Sequence, residues 1–455
     1  MLKFAFLLLV VPAVLLSACQ PSTKASETSD QLEHRVDSLV KPYIDSTRVA
    51  GIAIGIFKDH KPLLLKSYGY ADLELNVKLP VDASFEIGSV TKQFTAAAIM
   101  QLSEEKKLSL DDDFTKYVQF NTRGRKVTIR QLLSHTSGIK GYTELPSFGL
   151  LATQKLKRDT LLRMVEKESF DFEPGEALIY NNTAFFILGL VIEKVSGQSY
   201  EDYVAKNLFA KAGMSNTYYC NERKITRNRA HGYDGGESGL VRAAYLDHTW
   251  PYSAGSLCST VEDLEKWNDA LHHGKILSDA AYKEFITPVS LNDGTVTHYA
   301  KGVTVTQWKG RRLIEHGGGI FGFLSQNSYF PDENLSIVVL INSTTVGPRG
   351  IADELAAFVF GPHPQDELKR FEGSLSKYKG SFAGRGRGSD VTITISDNDT
   401  TLLVAMDGGK PNKLRYVKDN EWTDEQASFI FDGDEKSVTG LRVDQTYGYL
   451  RLKRR

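Results

Sequence analysis

Phe85-Glu86-Ile87-Gly88-Ser89-Val90-Thr91-Lys92-Gln93-Phe94-Thr95-Ala96-Ala97-Ala98-Ile99-Met100 is the stretch whose reading decides the fold. Gly88 interrupts an extended run, and the Ala-rich segment after it has high helix propensity and small side chains. Such a helix suits a position crowded on all sides by the rest of a domain. Ser89 falls at its first turn, where serine is ordinarily a cap. A capping box would place Glu or Gln three residues on. The residue there is Lys92, a cation that opposes the helix dipole.

Chemistry accounts for the lysine where local stability does not. Residues three apart share a helix face, so the Lys92 amine reaches the Ser89 hydroxyl. A desolvated lysine loses its proton readily and then serves as base for a serine nucleophile. The helix N-terminus aims backbone N–H groups at an oxyanion formed on attack of a carbonyl. Ser-x-x-Lys also occurs at Ser38, Ser103, Ser137, Ser374 and Ser376. Only at Ser89 does it follow a glycine and open an apolar helix.

Outward from this stretch, the chain of 455 residues is long enough for two or three domains. Its 41% hydrophobic and 24% charged content is that of a globular protein. A formal net charge of −1 gives no electrostatic reason to expect a nucleic-acid partner. Residues 1–19 combine Lys3, an apolar run from Phe4 to Leu16, and the small residues Ser17 and Ala18 before Cys19. That pattern predicts a secretory leader, too short for a membrane span. Residues 20–30 read as a flexible linker. Cys220 and Cys258 carry no framework signal and are expected to be free thiols.

Helical periodicity is expected over 31–48, strands over 51–57 and 63–70, and a mostly helical region from Ser89 to about Leu271. Strands resume near 302–308, 312–315, 323–330 and 336–341, and a helix follows over about 350–360. Strands at both ends with helices between predict an α+β fold: one antiparallel sheet flanked by helices, with an inserted helical lobe. The catalytic unit is set at 31–361. After Gly361-Pro362-His363-Pro364 the texture changes. Residues 365–455 read as a separate small β-barrel built from short strands and Gly/Asp turns.

Two more stretches carry candidate site residues. Tyr180-Asn181-Asn182 precedes a helix expected from Thr183 to Ser196, closed by Gly197. Either asparagine suits a cap. The chemical reading gives Tyr180 proton transfer beside Ser89, helped to ionise by cationic neighbours, and gives Asn182 a substrate-orienting hydrogen bond. Further on, a short strand leads into His316-Gly317-Gly318-Gly319, which reads either as a turn or as backbone that a ligand approaches closely. A backbone N–H there would be a second oxyanion donor.

In this order, Ser89-x-x-Lys92, Tyr180-x-Asn182 and His316-Gly317-Gly318 resemble the three motifs of the serine β-lactamase and penicillin-binding-protein superfamily. The nearer likeness is to its class C branch, which contains β-lactamases, D-alanyl-D-alanine carboxypeptidases, D-aminopeptidases and esterases. The resemblance covers about residues 31–361 and implies a β-lactamase/transpeptidase-like fold. It implies catalytic roles for Ser89, Lys92 and Tyr180, and substrate-binding roles for Asn182, His316, Gly318 and Gly319. The tail resembles the lipocalin-like domains of some members, and Cys19 resembles the lipidated cysteine of bacterial lipoproteins. True class C β-lactamases carry Lys-Thr-Gly at the third motif, and this chain has no such triplet. His316 in its place is expected to be mostly neutral at pH 7, to face a substrate carboxylate, and to gain charge below about pH 6.5.

The function expected is a serine hydrolase working through a Ser89 acyl-enzyme on esters, amides or D-amino-acid peptides. The alternatives are a true β-lactamase or D-Ala-D-Ala carboxypeptidase, and a non-catalytic binding or sensor lipoprotein of the cell envelope. Neither cofactor nor metal is expected. Expected partners are a small-molecule or peptide substrate and a membrane met through the lipid anchor, with the enzyme facing the periplasm or exterior.

Overall fold

The Gly51–Lys58 strand is buried on both faces, as its isoleucines alternating with small residues require. Ile52, Ile54 and Ile56 point into one apolar cluster with Leu32, Val36 and Val40 of helix Ser29–Asp45 and Ile351 and Leu355 of helix Pro348–Phe360. Ala53 and Phe57, on the other face, join the core of the helical lobe. The computed structural model describes residues 29–361, 370–424, 426–434 and 436–455. The expected leader, Cys19 and nearly all of the linker lie outside the described residues, as does Pro362-His363-Pro364.

Around that strand runs a seven-stranded antiparallel sheet in the order Thr304–Trp308, Arg311–Ile320, Phe323–Phe330, Leu335–Ile341, Gly51–Lys58, Lys61–Asp72, Val77–Lys78. Two strands far apart in sequence therefore meet near its centre, with Ile52 opposite Ile341. Helix Thr91–Glu104 lies inside the inserted lobe and is buried continuously from Thr91 to Leu102. Its run of alanines is what allows other elements to close on every face.

Two sequence expectations change. The strand beginning at Arg311 does not stop before His316; it continues through all three glycines to Ile320. The glycines serve close approach rather than a turn, because a Cβ on Gly318 would stand 2.1 Å from the Ile87 carbonyl oxygen. The turn comes later, at Phe321-Gly322, after Ile320 pairs with Phe323. Cys220 and Cys258 are not free thiols but a disulfide, with Cα atoms 5.3 Å apart. Strand Leu257–Ser259 pairs with the two-residue strand Tyr218–Tyr219, setting Tyr218 opposite Cys258 and Cys220 just beyond. That short pairing leaves no periodic trace in the sequence.

Beyond residue 370, nine strands form a nearly closed barrel-like sheet. Its two edge strands, Asn412–Lys413 and Arg415–Lys418, are separated in sequence only by Leu414. This sheet also pairs with the lobe. Strand Leu178–Ile179 is hydrogen-bonded to strand Gly448–Arg454, with Ile179 opposite Gly448. The residue after Ile179 is Tyr180, so a barrel strand and a candidate site residue share one piece of backbone.

Candidate active site

Ser89 lies in a 3-10 turn, Gly88–Val90, that feeds helix Thr91–Glu104. Gly88 has φ +48, and an added Cβ there would crowd the Gly319 amide nitrogen at 2.9 Å. Glycine is needed for both reasons. The turn is fixed from two sides: the Ile87 N–H donates to Leu257 O at 3.0 Å, and Ser325 Oγ donates to Ile87 O at 2.8 Å.

Lys92 is fully buried. Its Nζ stands 3.1 Å from Ser89 Oγ, 2.8 Å from Asn182 Oδ1 and 2.8 Å from the Ala254 carbonyl oxygen. Burial, and then the positive charge of Arg387, hold its pKa well below the usual lysine range. A neutral amine has two N–H bonds and one lone pair. Asn182 Oδ1 and Ala254 O accept the two N–H bonds, which leaves the lone pair for the Ser89 hydroxyl. Asn182 thus orients the Lys92 amine, and its Nδ2 donates to Thr143 Oγ1 at 3.3 Å. The cap of helix Asn182–Ser196 is Asn181, whose side chain accepts from the Ala184 N–H at 2.8 Å.

Tyr180 has Lys92 Nζ 4.8 Å and the Arg387 guanidinium carbon 5.4 Å from its ring centroid. Of the cationic neighbours expected from the sequence, only Arg387 acts on it as a cation, and it does not ionise the phenol. Burial first pushes the phenol pKa up, against the lowering effects of the nearby Ser89 hydroxyl and Arg387. Its hydroxyl has no hydrogen-bond partner within normal distance. Tyr180 is therefore a neutral acid at rest. His135, whose Nδ1 accepts from the Asn181 N–H at 3.0 Å, packs 4.3 Å from the Tyr180 ring.

His316 departs from its expected behaviour. It is 1% exposed; its Nε2 lies 2.9 Å from the Tyr299 hydroxyl and its Nδ1 2.5 Å from Gly317 O. Burial first, then the Lys92 charge, push its pKa down to about 3. It remains neutral through the range in which it was expected to gain charge. The ring is held by the aromatic groups around it and supplies no cation to a substrate.

The glycines after it border the Ser89 turn. The Gly317 N–H donates to the Tyr447 hydroxyl at 2.7 Å, so it points off the outer edge of its strand. N–H directions alternate along a strand, so the Gly319 N–H leaves by the same edge, beside Gly88. Together with the N–H groups at the helix start, it is a backbone donor of the kind that can bind an oxyanion.

Two lobes of a cleft, of about 790 and 550 Å³, meet at Ser89, Asn182, Gly319, Leu324 and Arg387. The larger is lined by Tyr180, Gly317, Arg349, Asp407 and Tyr447 among others. The smaller is mostly apolar, with Tyr142, Phe148, Leu246, Ile320 and Phe321. Sequence reasoning missed the barrel's contributions, Arg387 and Tyr447 among them. Arg387 belongs to the alternation Gly384-Arg385-Gly386-Arg387-Gly388, a signal that was available; Tyr447 had none. Among the described residues, the groupings able to hold a cation are His60 with Asp269 and His273, Asp72 with Glu74 and His231, and Glu86 with Glu222 and His248. None lines these two lobes.

The family model described as Beta-lactamase matches residues 36–360. Protein flp of Staphylococcus aureus (strain MRSA252) is 28% identical over 319 residues, which are 68% of this chain and 63% of that protein. The chain thus spans under two thirds of that relative's length. The structure of the octameric penicillin-binding protein homologue from Pyrococcus abyssi aligns with a TM-score of 0.66 and 26% identity, covering 92% of this chain and 100% of that one. That of a D-stereospecific amidohydrolase from Streptomyces sp. aligns with a TM-score of 0.63 and 26% identity, over 72% and 99%. The chain belongs to the Beta-lactamase family.

Proposed function

We propose that Ser89 is the nucleophile of an acyl-enzyme hydrolase acting on compact amides and esters, short peptides with D-amino acids foremost. The observation that carries this reading is the buried, charge-depleted Lys92 with its Nζ 3.1 Å from Ser89 Oγ. Lys92 takes the hydroxyl proton as Ser89 attacks the carbonyl, and the oxyanion forms against the N–H groups of Ser89 and Gly319. The proton passes from Lys92 through the Tyr180 phenol to the leaving nitrogen or oxygen. Water then attacks the ester, giving its proton to Lys92, and Ser89 leaves with a proton returned. Two lobes meeting at the nucleophile suit the two halves of a cleaved substrate. The D-stereospecific amidohydrolase among the structural neighbours supports an amide bond and D configuration.

The leader and Cys19 support placing the enzyme in the cell envelope, lipid-anchored and facing the periplasm or exterior. The division into a catalytic unit at 31–361 and a barrel at 365–455 is likewise a proposal. Labelling with a fluorophosphonate, followed by peptide mapping, tests the nucleophile: modification of Ser89 is expected. Label on another serine, or turnover of acetyl-D-alanyl-D-alanine undiminished in Ser89→Ala, overturns the reading.

A further inference from the structure

Strand Arg311–Ile320 brings no positive charge to the nucleophile, since His316 is neutral and held between Tyr299 and the Gly317 carbonyl. The larger lobe has two cations among the residues described above, Arg349 and Arg387. Arg349 is committed: it pairs with the buried Glu315 and, at 3.1 Å, with Asp353. Arg387 is placed differently. It comes from the hairpin between strands Gly380–Arg385 and Asp390–Asp397, its side chain is 48% exposed, and it lines both lobes.

The barrel does not merely hang this arginine nearby. Lys140 Nζ donates to Gly388 O at 2.9 Å, and Arg385 pairs with Asp171 at 2.7 Å, so the hairpin is tied to the lobe on both sides of Arg387. The guanidinium itself donates through Nε to Glu144 Oε1 at 2.7 Å and through Nη2 to Thr143 Oγ1 at 3.3 Å. Those contacts set the plane of the fork and use one side of it. A preorganised guanidinium recognises a planar anion through paired N–H bonds, with little ordering left to do on binding.

We propose that Arg387 is a specificity-determining residue of this hydrolase, forming an anion subsite that binds the free carboxylate of a short peptide at the junction of the two lobes. The subsite rests on the reading of Ser89 as nucleophile. The sheet beyond residue 370 is then a working part of the active site: it supplies the charge that the strand beside Ser89 lacks. Glu144 acts as a resident competitor that keeps Arg387 oriented when the subsite is empty.

The test compares acetyl-D-alanyl-D-alanine with its C-terminal amide, a pair that differs only in the charge offered to Arg387. Calorimetric binding to Ser89→Ala, which stops turnover, is expected to favour the acid at least tenfold. Adding Arg387→Gln is expected to erase that ratio, and Arg387→Lys to keep part of it, because the charge survives and the fork does not. Glu144→Gln is expected to widen the ratio, and it serves as the independent variant should Arg387→Gln fail to fold. Equal binding, preference for the amide, binding of neither ligand, a ratio that survives Arg387→Gln, or no widening in Glu144→Gln overturns the subsite. Fluorophosphonate labelling of the wild-type protein separates the two readings. Label on Ser89 with any of those results refutes the subsite alone, whereas absence of label on Ser89 refutes the nucleophile beneath it.

Discussion

The Tyr447 hydroxyl accepts a 2.7 Å hydrogen bond from the Gly317 N–H, so a residue near the end of the chain occupies the open edge of the strand that borders the nucleophile. An extended substrate adding to that edge meets Tyr447 instead of a free amide. Tyr447→Phe removes the acceptor and leaves a part-buried N–H unpaired, at a cost of about 1 kcal/mol. A lowered Tm with unchanged substrate choice is expected. Tyr447→Ala opens the edge as well, and longer peptides should then compete better against dipeptides in kcat/KM. A peptide-length series showing no change would mean that the Gly317 edge is not where substrate lies.

Ser89 and Lys92 form one unit, so their losses should not add. Ser89→Ala and Lys92→Ala are each expected to remove nearly all turnover, and the double variant to match either single one. Circular dichroism should stay native for Ser89→Ala, which deletes one hydroxyl from a turn. Substantial activity in Lys92→Ala would assign the base elsewhere.

The acid limb of the kcat/KM profile should belong to Lys92 and not to His316. Protonation of Lys92 removes the lone pair facing Ser89, so activity falls as pH drops through its lowered pKa. His316 has its pKa pushed down to about 3 by burial and makes no contact with the Ser89 hydroxyl or the Lys92 amine among its hydrogen bonds. His316→Gln is therefore expected to leave the limb in place. Arg387→Gln removes a positive charge that disfavours protonated Lys92, so the Lys92 pKa rises and the limb moves to higher pH. A limb that moves with His316 and ignores Arg387 would reverse the assignment.

Gly318 has no room for a side chain, since a Cβ would stand 2.1 Å from Ile87 O and 2.2 Å from Ser325 Oγ. Gly318→Ala should push the strand off the nucleophile turn and break the Ser325–Ile87 hydrogen bond. A loss of turnover of tenfold or more is expected, larger than a drop in Tm alone would explain. Wild-type kcat in a folded Gly318→Ala protein would show that the spacing between Ile87 and this strand is not critical.

The Cys220–Cys258 bond closes a loop of sequence separation 38. Chain entropy gives such a crosslink about 4 kcal/mol. Reductant should lower the Tm of the wild-type protein and leave a Cys220→Ala, Cys258→Ala double variant unmoved. Equal sensitivity of both proteins would place the effect of reductant elsewhere.

The features legible in the sequence are those written within a few residues. The Gly88 break and the three-residue spacing of Ser89 and Lys92 place nucleophile and base on one helix face whatever surrounds them. Ile52, Ile54 and Ile56 alternate with small residues, as a strand buried on both faces must, and Asn181 precedes its helix as a cap. Those properties depend on backbone geometry, which repeats over short distances. The tertiary structure decided what depends on distant chain. Cys220 meets Cys258 only because two very short strands pair. His316 and Tyr180 stay neutral because groups from several elements bury them, and an ionisation equilibrium sums the whole environment. Arg387 and Tyr447 reach the cleft because strand Leu178–Ile179 joins the barrel sheet one residue before Tyr180.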